Sequence, residues 1–237
     1  MHNSRKLRTF LASTATAALL AACSTTAPTI QTGPDAEVTF DGLNRVDNSQ
    51  ADVAWARPDF DISEYTKLML VGAGVQYREA DNLGRTTTER SRGGPFYLDE
   101  DRRARFEALV DEIFEEEMAQ IQNFEIVDEP GPDVLTVRGA LLDVVSFVPD
   151  MQNQAGRFNM FLSSVGEVTL VLELRDSQSG TVLARSVDRR AAQRAGGSQM
   201  FDANRVTVEA EVRRLMRFWA RRLREGLDGF AEQQRDM

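Results

Sequence analysis

The chain has 237 residues, enough for one sizeable domain with a packed core, and carries 37 acidic against 28 basic side chains for a formal charge of −9. That balance argues against nucleic acid as a partner, because neutralising phosphates takes a basic surface. A single cysteine excludes an internal disulfide, and a single histidine, His2, leaves little for triad or histidine–metal chemistry.

Arg5, Lys6 and Arg8 precede a run of apolar and small residues from Thr9 to Leu20. Such a run fits a signal-peptide core of about 7–15 residues and falls short of the roughly 20 apolar residues of a bilayer span. It closes on Leu20-Ala21-Ala22-Cys23, which resembles the lipobox of bacterial lipoproteins. The resemblance implies a diacylglycerol thioether on Cys23, cleavage between Ala22 and Cys23, and acylation of the new amino terminus. A thiol suits that alkyl transfer because its thiolate is a strong nucleophile. Several acyl chains attach a protein stably where one alone is marginal. In the sorting rule of such proteins an aspartate after the cysteine favours the inner membrane; Ser24 stands there and favours the periplasmic leaflet of the outer membrane. Removing residues 1–22 takes away His2 and three basic residues but no acidic one, so the remainder is more acidic still. Lys67 is then the only lysine, and it reads more simply as a solvated charge at a strand end than as a base. Carboxylate chemistry is what remains, and neither a metal nor a cofactor is expected.

Residues 23–36, rich in Thr, Pro and Gly, read as a lipidated flexible tether. From Phe40 to Tyr65 the spacing predicts an irregular arm packed on the core through Trp55, Phe60, Ile62 and Tyr65, followed by a strand over Lys67 to Val71. Gly72 and Gly74 lack the third glycine and the immediate helix of a dinucleotide loop. Gln76 to Pro95 reads as a polar loop. Asp99 to Gln122 is an amphipathic helix, with Phe106, Leu109, Val110, Ile113, Phe114, Met118 and Ile121 on one face and acidic residues on the other. Short and long strands follow at Phe124 to Val127 and Val134 to Val148. Over Val165 to Leu174, Val168, Leu170, Leu172 and Leu174 alternate with Glu167, Thr169 and Glu173, the mark of a sheet with one wet face. The turn Asp176 to Gly180 joins this strand to Thr181 to Arg190. Asp202 or Asn204 caps a last helix whose inner stripe runs from Val208 to Phe230. The expected fold is α+β: a two-layer sandwich of a mixed four- to five-stranded sheet with two amphipathic helices on one face, in the order β-α-β-β-β-β-α. Residues 1–22 form the signal peptide, 23–36 the tether and 37–237 a single periplasmic domain.

The stretches from Trp55 to Lys67, Gly131 to Val144, Leu174 to Ala192 and Phe218 to Asp228 resemble a family of bacterial lipoproteins known only as domain of unknown function number thirty-three-thirteen. The resemblance implies an envelope address and a fold, and carries no activity to any residue.

Three groups of residues invite a functional reading. Pro149 to Gly166 is long for a hairpin and holds Phe158, Met160 and Phe161, which suit a partner-binding surface or a lid over the core. The arginines of the last helix, Arg213 to Arg224, suit anionic lipid, an acidic partner, or pairing with the acidic first helix. Asp143, inside an apolar strand, would make a raised-pKa acid if coupled to Glu167 or Asp188, but pairing with Arg138 or Arg185, or a bulge near Gly139 turning it outward, accounts for it more simply. Asp99, Glu100 and Asp101 lack the spacing of a calcium loop. The expectation is a non-enzymatic outer-membrane lipoprotein bound to the membrane through Cys23, with an envelope protein partner and an accessory or assembly role. The alternatives are a small-ligand or peptidoglycan-binding module, with a pocket between the 76–95 and 149–166 loops, and a carboxylate-only hydrolase.

Overall fold

The structure, a computed structural model, describes residues 27–79, 95–148, 161–193, 200–202 and 204–235. In chain order its elements are β1 (Thr29–Ile30), β2 (Asn44–Asp47), β3 (Val53–Ala56), β4 (Lys67–Tyr77), α1 (Glu100–Met118), β5 (Glu125–Ile126), β6 (Val134–Ser146), β7 (Phe161–Leu162), β8 (Gly166–Asp176), β9 (Val182–Ala192), β10 (Phe201–Asp202) and α2 (Arg205–Arg235). Eight strands form one sheet in the order β1-β2-β3-β9-β8-β6-β4-β5, and β7 pairs with β10 apart from it. β4 lies parallel to β5 and β6, as a helical crossover through α1 requires, and the other pairs are antiparallel.

The α+β class holds, but the sheet is larger than the four to five strands expected. β1, β2 and β3 span only two to four residues, too few to display a period of two, and they owe their extended form to hydrogen bonding outward from the edge of β9. Two further expectations change with them. Thr29–Ile30, placed in the tether, pairs with β2, where the Asn44 amide donates to the Gln31 carbonyl at 2.8 Å. Trp55, placed in an irregular arm, sits on β3 with the Arg45 guanidinium 5.5 Å from its ring centroid. Phe60, Ile62 and Tyr65 do pack inward, Ile62 with 1% of its surface exposed.

Both helices cover the same sheet face. One cluster joins Ile113 of α1 and Met216 and Trp219 of α2 to Leu141, Val168 and Leu170 of the sheet. A second joins Met118 and Leu227 to Leu68, Leu135 and Val137. Each such side chain contributes about 1.5–3 kcal/mol on full burial. The first turn of α1 is capped by Asp99, whose carboxylate accepts from the Arg102 N–H at 2.8 Å. The start of α2 is closed by the Asn204 side chain, which accepts from Thr207 N–H at 3.0 Å while Thr207 Oγ1 accepts from Asn204 N–H. No helix among the described residues is long and apolar enough to cross a membrane.

Gly72 and Gly74 lie inside β4 rather than in a nucleotide loop. Gly74, at φ +93°, supplies one bulge. Gly166 opens β8 so close to β6 that a Cβ there would stand 2.2 Å from the Val145 carbonyl oxygen.

Candidate binding cleft

The two helices run in the same direction and are joined along their later turns by charge. Arg213 meets Glu112 at 3.1 Å, Arg217 meets Glu116 at 3.6 Å, and Arg221 and Arg224 reach Glu117 at 3.7 and 3.8 Å. At the far end the buried Asp228 carboxylate accepts from the N–H groups of Gln122 and Asn123, both at 3.0 Å. The basic character of α2 therefore serves, in large part, to hold it against acidic α1, as one of the sequence readings has it. The Glu112–Arg213 pair is the first of these along both helices. Between their first turns and the end of the sheet lies a cleft of about 770 Å³, within the size range of small-molecule sites. Val144 and Val168 form its floor, Phe106 and Leu109 one wall, Val208 and Val212 the other. Charged groups line its rim, where Arg102 also donates to the Val148 carbonyl at 3.0 Å.

Of the two carboxylate couples considered, Asp143 with Asp188 is not assembled, whereas Asp143 and Glu167 meet across one guanidinium, that of Arg189. β6 carries an extra residue at Asp143, which takes φ +55° and turns its side chain to the outer face. The bulge lies at Asp143 itself rather than near Gly139, and the partners are Arg78, in a two-pronged pair, and Arg189 at 3.7 Å, instead of Arg138 or Arg185. The hydrogen bond from Arg78 holds the Asp143 carboxyl below the usual carboxylate range, opposite to what a general acid needs. Glu167 shares Arg189 with it at 2.6 Å. Asp188 points to the other face, under α2, where 6% of its surface is exposed; it accepts from Trp219 Nε1 at 2.7 Å and Arg190 Nε at 2.6 Å. Half-buried Tyr77 has its hydroxyl pKa raised, by burial first and then by its bond to Glu107 at 2.9 Å. Lys67 pairs with Asp133 at 2.9 Å at the strand ends.

Of the residues singled out for partner binding, Phe158 and Met160 lie outside the described residues, as do Ala22, Cys23 and most of the 76–95 loop. Phe161 opens β7 with 54% of its surface exposed, while its neighbour Leu162 is buried in the first cluster. The cleft itself escaped the sequence reading. Its helical lining residues carry the ordinary signature of core, and nothing in that periodicity tells a filled helix–sheet interface from one that leaves a cleft.

The chain belongs to the family described as Protein of unknown function (DUF3313), whose model matches residues 36–223. No curated protein matches it in sequence. Among solved structures it is similar to a DUF330 protein from Xanthomonas campestris, with 11% identity, TM-score 0.37 and coverage of 77% of this chain and 94% of that one. It is also similar to a neuraminyllactose-binding hemagglutinin homolog from Helicobacter pylori (10% identity, TM-score 0.36, coverage 73% and 92%) and to the PelC dodecamer from Paraburkholderia phytofirmans (12%, 0.27, 65% and 88%). At such TM-scores neither the binding nor the assembly named for those proteins passes to this one.

Proposed function

We propose that this member of the family is a lipoprotein, acylated on Cys23 and held at the periplasmic leaflet of the outer membrane, whose α+β domain binds an envelope protein without catalysis as an accessory or assembly factor. The order of basic, apolar and small residues ending at Leu20-Ala21-Ala22-Cys23 supports the anchor, and Ser24 supports the outer membrane. The observation that carries the binding role is the cleft between the first turns of α1 and α2, floored by Val144 and Val168 and walled by Phe106, Leu109, Val208 and Val212. Its apolar lining suits an apolar segment of a protein better than a peptidoglycan sugar, which calls for polar and aromatic walls. Asp188 lies on the opposite sheet face from Asp143, and Asp143, which does share Arg189 with Glu167, is held ionised by Arg78, which speaks against a general acid there and so against the hydrolase reading.

Globomycin treatment and the mass of the protein extracted from cells test the anchor. Acyl mass on Cys23 and a precursor that accumulates with the drug are expected; a free thiol, or a chain keeping its first 22 residues, overturns it. For the cleft, Val212→Asp is expected to abolish co-purification of the envelope partner while the circular dichroism spectrum is retained. Undiminished co-purification moves the binding site elsewhere.

A further inference from the structure

We infer that the solvent side of α2 around Phe218 is a docking face for an anionic phospholipid leaflet, which sets how the anchored domain sits on its membrane. The inference deepens the anchored reading and rests on it for placing the chain beside a bilayer. Phe218 lies between two guanidinium groups, Arg190 of β9 at 4.6 Å and Arg222 at 5.0 Å from the ring centroid, yet 37% of its surface is exposed. Arg214 and Arg221 stand beside it on the same face of the helix, at steps of four and three, and Arg217 borders the same patch. Arg217 and Arg221 reach α1 only at 3.6 and 3.7 Å and leave about half of each side chain to solvent, 47% and 57%. Glu225, which borders the patch, is shared with Arg224 at 3.5 Å, while Arg190 and Arg214 also pair inward with the buried Asp188 and Glu211. Five arginines around one exposed ring stand out on a chain whose formal charge is −9.

The path of the chain supplies a second, independent observation. Arg222 donates to the Gln50 side chain, in the turn between β2 and β3. Thr29 pairs opposite Asp47, three residues before Gln50. The strand that follows Cys23 therefore joins the sheet at the corner that carries the patch. Five residues lie between Cys23 and Thr29, and the six steps span at most roughly 20 Å of fully extended chain. A tether that short brings this corner, and Phe218 with it, to the bilayer. Guanidinium forks match phosphodiester oxygens in geometry and charge, and an aromatic ring among basic residues suits the headgroup boundary.

The test uses mature acylated protein on vesicles of phosphatidylcholine with or without phosphatidylglycerol. Because acylation consumes the only native thiol, one engineered cysteine can carry a dye: Ala210→Cys in the patch, or Gln178→Cys in the hairpin at the opposite end of β8 and β9. A nitroxide lipid is expected to quench the dye at 210 and not at 178, only when phosphatidylglycerol is present, and high salt should abolish the difference. Replacing Arg217 and Arg222 together by Gln should lower the docked-to-undocked ratio about 25-fold, roughly five-fold for each charge lost at the surface, with the circular dichroism spectrum retained. Equal quenching at both positions, or quenching indifferent to phosphatidylglycerol or to the double substitution, overturns the inference and leaves an acidic protein as the occupant. Mass spectrometry of the same preparation decides the anchor separately. Should Cys23 carry no acyl chain, the docking face stands or falls on whether that chain cosediments with phosphatidylglycerol vesicles.

Discussion

Asp143 holds a left-handed backbone at φ +55° that most side chains avoid, and its carboxylate reaches Arg78 just beyond β4 and Arg189 on β9. The conformation costs an ordinary residue about 1–2 kcal/mol, less for Asp and Asn, while a pair as exposed as this one contributes about 0–1 kcal/mol. Asp143→Val should therefore destabilise the domain by about 2 kcal/mol, and Asp143→Gly should lie within about 1 kcal/mol of the parent, because relief of the backbone offsets the lost pair. Urea midpoints of the two variants decide this, and equal losses in both would assign the role to the ion pair instead. An acid set between Leu141-Leu142 and Val144-Val145 was visible in the sequence as an anomaly. Its meaning depended on a bulge that shifts the register between β6 and β8, and a shift of one residue sends a side chain to the other face.

The pairing of α1 with α2 is where charge and packing meet. The acidic stripe of one helix and the arginines of the other are both readable in sequence, and their attraction follows once the two lie side by side on one sheet face. Most of these pairs are exposed and act on orientation and register more than on stability. Asp228 is different, because it is buried and accepts two backbone N–H groups of the chain leaving α1. Asp228→Ala strands both donors and should cost about 3–6 kcal/mol, since each charge-assisted bond contributes about 1.5–3 kcal/mol. Asp228→Asn keeps one acceptor oxygen and should cost less. Chemical denaturation of both variants checks the order, and a neutral Asp228→Ala would show that the loop finds water instead.

At the scale of the whole molecule, the carboxylates of the sheet respond to pH together. The hydrogen bond from Arg185 lowers the pKa of Asp41, that from Arg78 lowers Asp143, and the bonds from Ser179 lower Asp176. Burial pushes Glu173 up, but Arg175 and Arg185 more than offset it. Groups depressed in the folded state contribute stability that is present above the unfolded value, about 3.9 for Asp and 4.3 for Glu, and is lost as pH falls through their folded values. Burial, then Asp176, pushes the Tyr65 hydroxyl up to about 12, so its contribution is intact below the unfolded value of about 10 and is lost as pH rises toward 12. Urea denaturation across pH should give a level plateau from about pH 5 to 9, a fall below about pH 4 and another above about pH 10. A steady decline from pH 7 to 5 would contradict this, because no group named here titrates there.

The long elements were determined by sequence alone. The alternation around Leu170 and the stripe through Ile113 and Met216 repeat over enough residues to declare strand and helix, and burying those faces dictates two helices on one side of a sheet. The order of charges and small residues up to Cys23 is likewise a property of the chain before it folds. Only tertiary structure decided the rest. β1, β2 and β3 are too short to signal their own state and become strands because β9 offers an unpaired edge. The cleft ahead of Arg213 and the corner that unites Thr29, Gln50 and Arg222 each depend on residues far apart in sequence, whose meeting no local pattern encodes.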